Sequence, residues 1–249
     1  MDLELADKVA LVTGGSRGIG SSIAFALARE GCHVAFSHWE DPDGAQETVF
    51  GVEGLGRKCV AFESDVAEFG EAGENVARVL REFGRLDILV CNAGLASDRT
   101  VWNMFEAQWD RVLDVNLKGC FNYIHAVAPH FREKRAGKIV NIASINGLRG
   151  KFGQSNYAAS KGGMIALTKT VARELGPSQV NVNAVAPGMV DTVMAGALPE
   201  EVRRAAEAES VFGRIADPAD VAHLVVFLCS ERARHLTGEV IRIDGGQYI

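Results

Sequence analysis

Short apolar runs alternate along this chain with longer segments in which apolar residues recur every three or four positions. The short runs are apolar nearly throughout, a pattern typical of strands that are buried on both faces of a sheet. Seven such runs are predicted to be strands, at residues 8–15, 33–38, 58–65, 86–94, 137–144, 180–188 and 239–246.

The longer segments are predicted to be amphipathic helices, at residues 19–30, 73–83, 109–135, 155–175 and 217–229. In the fourth of them, Met164, Leu167 and Val171 lie along one stripe, as helical spacing requires. The alternation of strand and helix favours a parallel sheet with right-handed crossovers and helices on both faces. Because no linker or low-complexity tract divides the chain, we expect a single doubly wound α/β domain over residues 1–249.

Composition narrows the classes of function. The formal net charge is −6 and the sequence has no basic patch, so nucleic acid is not an expected partner. No apolar run is long enough to span a bilayer, and the N-terminus lacks the features of a signal peptide. The five cysteines are scattered without metal-ligand spacing. We therefore expect a cytoplasmic protein that needs neither a membrane nor a metal ion.

The residues after each predicted strand are small, polar or glycine, and ligands bind at the carboxyl ends of parallel strands. After the first strand the chain reads TGGSRGIG, from Thr13 to Gly20. Glycines allow a phosphate to approach the backbone, and the helix N-terminus that follows adds partial positive charge. The spacing is neither G-x-G-x-x-G nor a P-loop. Its position after the first buried strand nevertheless favours a dinucleotide site over a simple turn.

The second strand indicates which dinucleotide is bound. It ends in Ser37 and His38 and lacks the acidic residue that NAD sites usually place there. Arg17, within the glycine loop, could pair with a 2′-phosphate. These features favour NADPH (NADP), and NAD stays the alternative if Glu40 reaches the ribose.

A tyrosine and a lysine stand one helical turn apart, after the fifth predicted strand. Tyr157 and Lys161 share a helix face at i and i+4, downstream of Ser144. A nearby ammonium favours the phenolate and is predicted to lower the tyrosine pKa from about 10. The phenol would then donate a proton to a carbonyl oxygen near neutral pH, with the serine hydroxyl on the same oxygen. The alternative is an incidental pair on a surface helix.

These motifs occur in order along the whole chain, and together they resemble the classical short-chain dehydrogenase/reductase family. The matching positions are Thr13-Gly14-x-x-x-Gly18-x-Gly20, Asn92-Ala93-Gly94, Asn116, Ser144, Tyr157-x-x-x-Lys161 and Pro187-Gly188. The resemblance implies a Rossmann-type fold and an oxidoreductase that uses a nicotinamide cofactor.

The resemblance also implies roles for individual residues. Tyr157 would be the general acid/base, Lys161 would assist it and bind the nicotinamide ribose, and Ser144 would orient the carbonyl. Asn116 would hold a water in a proton relay. The cofactor would contact Gly14, Ser16, Arg17, Gly18, Ile19, Gly20, His38, Asp65, Val66, Asn92, Ala93, Gly94, Tyr157, Lys161, Pro187, Gly188 and Thr192. The substrate would contact Ser144, Ile145, Asn146, Gln154, Tyr157, Met189 and the rest of segment 189–198.

Within the family, residues 92–119 are similar to bacterial 3-oxoacyl-(acyl-carrier-protein) reductases. Residues 145–163 are similar both to those enzymes and to acetoacetyl-CoA reductases. The similarity implies NADPH-dependent reduction of a 3-ketoacyl thioester, a place in fatty acid biosynthesis, and a homotetramer in which helices 109–135 and 155–175 form one interface. A helical lid is expected over residues 190–210.

Two questions stay open at the level of sequence, the carrier and the reaction itself. The carrier could be acyl carrier protein, docked by Arg132, Lys134, Arg135 and Arg173, or it could be CoA. Ser178 and Gln179 stand where many of the carrier-protein enzymes have an arginine. Finally, the chain could be a dehydrogenase of another alcohol or ketone, or a non-catalytic subunit of the same fold.

Overall fold

The computed structural model describes residues 2–196 and 199–249, and all strands named below lie within that part of the chain. There, seven strands form one parallel sheet in the order β3-β2-β1-β4-β5-β6-β7. They are β1 (Val9–Val12), β2 (His33–His38), β3 (Cys59–Glu63), β4 (Ile88–Cys91), β5 (Gly137–Ile142), β6 (Val180–Pro187) and β7 (Val240–Ile243). Each lies within a predicted run, and the small polar residues at the run ends form loops.

The α-helices of the described residues pack on both faces of the sheet. They are α1 (Gly18–Arg29), α2 (Pro42–Gly54), α3 (Phe69–Phe83), α4 (Glu106–Leu113), α5 (Gly119–Lys134), α6 (Asn146–Arg149), α7 (Ser155–Leu175), α8 (Val193–Gly196), α9 (Glu200–Glu209) and α10 (Pro218–Cys229). The five predicted helices are confirmed, but one of them is divided: a π-helical turn, Asp114–Lys118, separates α4 from α5.

Helix α2 is absent from the sequence predictions. Only Ala45, Thr48 and Val52 are buried on it, so its apolar stripe is too sparse to reveal a helical period. The available signal was Asp41 followed by Pro42, since proline is favoured at the first helical position.

The core consists of two apolar layers separated by the sheet. Successive strand residues point to opposite faces, so Leu11 packs in one layer and Val12 in the other. The first layer holds α3, α5 and α7, including the predicted stripe residues Met164 and Val171. The second holds α1 and α10. Burial on both faces explains why the strand sequences are apolar nearly throughout.

The strand order reverses between β1 and β4. From β1 the chain proceeds outward through β2 to β3, then returns to β4 and proceeds to the opposite edge at β7. A crevice forms beyond the carboxyl ends of the strands at such a reversal. In the described residues no helix is both long and apolar enough to cross a bilayer.

Candidate active site

The glycine loop between β1 and α1 forms one wall of the crevice. Gly14 and Gly18 have φ angles of +66° and +60°, a left-handed conformation that favours glycine. An added Cβ on Gly20 would lie 2.0 Å from the carbonyl oxygen of Gly14. No side chain fits there, so the first turn of α1 packs directly on the loop.

The loop after β4 is tied to this glycine loop. The Asn92 side-chain amide donates to the carbonyl oxygens of Thr13 and Gly14, at 3.0 and 2.9 Å. The Thr13 hydroxyl accepts from the backbone amides of Asn92 and Ala93, at 2.9 and 3.0 Å. Asn92 and Ala93, predicted to line the cofactor cleft, therefore hold the two loops of the crevice together.

Beside the glycine loop lies a cleft of about 430 Å³ whose lining includes Ser16, Arg17 and Asp41. The polar groups that line this cleft fit a dinucleotide. Close to it, buried His38 Nδ1 and Asp41 Oδ2 have no hydrogen-bond partner within the described chain. Buried polar atoms are normally satisfied, so these two atoms, together with the glycine cradle, fit a polar ligand such as a ribose.

Arg17 is the cationic group of this cleft. Its side chain is 63% exposed, and its Nε lies 3.7 Å from Asp41 Oδ2. The distance is too long for a hydrogen bond, which leaves the guanidinium donors free to turn toward a ligand. Glu40, the acidic residue that would favour NAD, is exposed.

Asp65 and Val66, after β3, were predicted to meet the adenine. Arg111 on α4 donates to one oxygen of the Asp65 carboxylate at 2.7 Å, and the backbone amide of Ala67 donates to the other at 3.0 Å. The Val66 carbonyl accepts from Asn122 at 2.9 Å. These contacts hold the loop after β3 against α4 and α5.

Tyr157 and Ser144 come together at the end of β5. Burial, the largest effect, raises the pKa of the Tyr157 phenol, the neighbouring Ser144 hydroxyl lowers it, and the charge of Asp98 raises it further. The net pKa is above its ordinary value. The predicted lowering by Lys161 is therefore wrong in direction, because loss of solvent around the phenolate outweighs the neighbouring groups.

Lys161 lies over the Tyr157 ring and is bound to the backbone at the end of β5. Its Nζ donates to the carbonyl oxygen of Ile142 at 2.7 Å and lies 5.7 Å from the centre of the Tyr157 ring. The side chain is 3% exposed, and burial lowers its pKa to about 8. The ammonium is thus held in place at the end of β5 and is ready to lose its proton near physiological pH.

Asn116 lies in the π-helical turn and is fully buried. Its side chain accepts from the Leu95 amide at 2.8 Å and donates to the Leu95 carbonyl at 3.0 Å and to Ser160 at 3.1 Å. An added Cβ on Gly94 would meet Asn116 Oδ1 at 3.1 Å and Lys161 Nζ at 3.4 Å. Asn116 Oδ1 and Lys161 Nζ therefore both approach the Cα of Gly94 from its side-chain direction.

The side of the site beyond Ser144 contains a chain of amides. Asn146 donates from its backbone to Ser144 Oγ at 3.2 Å and from its side chain to Gln154 Oε1 at 3.0 Å. Gln154 donates to Asp98 at 2.8 Å. Ile145 is buried, and its amide donates to the Pro187 carbonyl at 3.0 Å.

The loop after β6 completes the crevice. Thr192 lies over the glycine loop, since an added Cβ on Gly18 would meet its Cγ2 at 3.4 Å. Gly188 and Met189 contact the C-terminal segment, and the Met189 amide donates to Gln247 at 2.9 Å. Ile19 opens α1. Of the predicted substrate segment 189–198, positions 197 and 198 lie outside the described residues. The helical part of the predicted lid is confirmed as α8 and α9.

Comparison with known proteins identifies the family. A family model of the short-chain dehydrogenase/reductases, described as enoyl-(acyl carrier protein) reductase, matches residues 14–247. The chain belongs to the short-chain dehydrogenase/reductase family. It is therefore an oxidoreductase of the nicotinamide-dependent type, as the sequence predicted.

Three family members illustrate the similarity. The 3-oxoacyl-(acyl-carrier-protein) reductase FabG of Staphylococcus epidermidis is 42% identical over 243 residues, which cover 98% of this chain and 100% of the relative. FabG of Thermotoga maritima is 40% identical over 247 residues, covering 99% and 100%. Nodulation protein G of Azospirillum brasilense is 39% identical over 242 residues, covering 97% and 98%.

Sequence reasoning missed three polar residues on the substrate side. Asp98 was detectable in principle, because it closely follows the Asn92–Gly94 turn at the same edge of the sheet. Arg149 and Gln247 carried no signal: one lies in a four-residue helix, and the other is 98 positions further along the chain.

Proposed function

We propose that the chain catalyses NADPH-dependent reduction of a 3-ketoacyl thioester to the 3-hydroxyacyl thioester. The observation that carries the proposal is the position of buried Lys161, whose Nζ binds the Ile142 carbonyl two residues before Ser144 and lies over the Tyr157 ring. The names of the FabG relatives supply the substrate class.

The proposed chemistry begins with a protonated phenol. Burial raises the pKa of Tyr157, so at neutral pH the side chain is the acid that a reduction needs. Its proton passes to the keto oxygen, which the Ser144 hydroxyl also contacts. A reduced nicotinamide bound in the crevice supplies the hydride to the keto carbon. The Lys161 ammonium stabilises the phenolate that remains, and the turn at Asn116 holds the water that returns the proton.

The proposed cofactor contacts follow the loops of the crevice. Gly14, Gly18 and Gly20 admit the diphosphate to the N-terminus of α1. The loops after β2, β3 and β4 would hold the adenosine half, and Gly188 and Thr192 the nicotinamide half. NADPH is preferred because the exposed Arg17 guanidinium can pair with a 2′-phosphate.

The carrier and the assembly form a further part of the proposal. Lys134 pairs with buried Asp87, and Arg135 donates to the Pro177 carbonyl, so only Arg132 and Arg173 of the predicted set are left for docking an acidic carrier protein.

A homotetramer is supported by Trp109 and Phe121, which are 37% and 44% exposed on α4 and α5. Five free, buried thiols are in keeping with the cytoplasm.

Reduction of an enoyl thioester is the second candidate, because the family model carries that description. Hydride addition to an enoyl thioester places negative charge on the thioester carbonyl oxygen, which a pair of hydroxyls could also contact, so the site suits either reaction. The names of the FabG relatives favour the keto substrate.

The deciding experiment follows loss of reduced-nicotinamide absorbance with acetoacetyl-CoA or crotonyl-CoA, each with NADPH and NADH. Rapid oxidation of NADPH with acetoacetyl-CoA alone is the expected result. Oxidation with crotonyl-CoA would favour enoyl reduction, and a preference for NADH would contradict the role given to Arg17. If neither thioester is reduced, a panel of simple ketones and alcohols would separate another dehydrogenase from a non-catalytic subunit.

A further inference from the structure

Three segments that are distant in sequence meet at the guanidinium of Arg149, the last residue of α6. Its Nη2 donates to Glu209, the last residue of α9, at 2.9 Å. Its Nη1 donates to the backbone carbonyl of Gln247 near the C-terminus at 2.9 Å, and its Nε donates to Asn146 Oδ1 at 3.2 Å. The side chain is 22% exposed, so these contacts are partly shielded from water.

Gln247 joins the same segments from the other side. Its side-chain amide donates to the Ala206 carbonyl on α9 at 2.7 Å and accepts from the Met189 amide at 2.9 Å. An added Cβ on Gly188 would lie 2.0 Å from Gln247 Oε1, so glycine is needed for this approach. Helix α9 is thereby attached to both α6 and the loop after β6.

The contacts that begin at Arg149 have a fixed hydrogen-bond direction. Arginine can only donate, so the oxygen of the Asn146 side chain must face it, and the Asn146 amino group must face Gln154 Oε1. Gln154 then donates to Asp98, whose ionised carboxylate can only accept. A donor at one end and an acceptor at the other exclude the flipped orientation of both amides.

We propose that Arg149 is a positioning residue, which holds the Asn146 side chain in place beside the substrate and couples it to the placement of α9. This inference rests on the proposed function, since Asn146 and Gln154 are the predicted substrate contacts. Loss of Arg149 removes the donor end of the chain. Asp98 still sets the direction of the two amides, but the Asn146 side chain loses a hydrogen bond that holds it in place, and α9 loses the Arg149–Glu209 contact with α6.

The test compares Arg149→Met with Arg149→Lys and with Arg204→Met. Arg204 is the matched control, because it lies on α9 and, among the residues that the structure describes, forms an ion pair only with exposed Glu200 one turn away. Arg149→Met loses a charge-assisted hydrogen bond. We therefore expect its KM for acetoacetyl-CoA to increase about tenfold. The KM for NADPH and kcat are expected to change by less than about twofold. Arg149→Lys should restore part of the loss, because an ammonium can satisfy one acceptor.

Hydrogen exchange of the amides in residues 200–209 and 144–154 supplies a readout that needs no turnover. Faster exchange in both segments for Arg149→Met, but not for Arg204→Met, is the expected result. The inference is overturned if the KM of Arg149→Met equals that of the wild type, or if Arg204→Met has the same effect. If the wild type does not reduce acetoacetyl-CoA, the proposed function fails, and the inference is then decided by hydrogen exchange alone. In that case, unchanged exchange of residues 144–154 in Arg149→Met overturns the coupling.

Discussion

The two sides of the crevice are built in different ways. On the cofactor side, contacts are made largely by backbone: glycines that exclude any side chain, carbonyls held by Asn92, and amides held by the Thr13 hydroxyl. On the substrate side, the side chains of Arg149 and Gln154 reach distant segments, at Glu209, Gln247 and Asp98. The first arrangement can be recognised in a short stretch of sequence. The second exists only when four segments have come together.

Tyr157 stands where the two sides meet, and its substitution is expected to have the largest effect. Tyr157→Phe removes the proton donor and keeps the ring, so kcat for thioester reduction should fall by about 10²–10⁴-fold. The Kd for NADPH, measured by fluorescence titration, should stay close to the wild-type value. Tyr248→Phe, at an exposed tyrosine, is the control. Full activity in Tyr157→Phe would show that the proposed mechanism is wrong.

Gly20→Ala tests the cofactor side alone. The new Cβ would lie 2.0 Å from the Gly14 carbonyl oxygen, and displacing the loop should weaken NADPH binding by more than about tenfold. The KM for the thioester, measured at saturating NADPH, should change little. Gly73→Ala is the matched control, because that position on α3 is open and alanine is favoured in a helix interior. Equal losses in both variants would contradict the backbone packing argued for the loop.

The smallest expected effect is on the pH profile. Burial lowers the pKa of Lys161 to about 8. The ammonium is the form that stabilises the phenolate, so it is present below this pH and lost above it. The rate of reduction at saturating substrates should therefore decline as the pH rises through about 8, by a few-fold. A rate that stays constant to pH 10 would separate Lys161 from proton transfer.

Much of the cofactor side was predictable because its chemistry is local. Glycines at the end of a buried strand, followed directly by a helix, specify a phosphate cradle through backbone conformation alone. The pairing of Tyr157 with Lys161 was recognised in the same way, from helical spacing. The single domain over residues 1–249 and the roles given to the site residues stay predictions.

The direction of the Tyr157 pKa shift could not be predicted in this way. Helical spacing places Lys161 near the phenol, but it does not state that the ammonium binds the Ile142 carbonyl or how desolvation shifts the pKa of each group. Desolvation depends on everything packed around a group, and so it appears only in the folded chain.

The sequence by itself determined the strands, most of the helices, the family and the residue types available for hydride and proton chemistry. These are set by interactions within a few residues and by the apolar period of each element. The tertiary structure decided how α9, α6 and the C-terminal segment meet at Arg149 and Gln247, and which groups at the site are shielded from solvent. Both depend on contacts between positions as much as 98 residues apart, which leave no pattern in a single sequence.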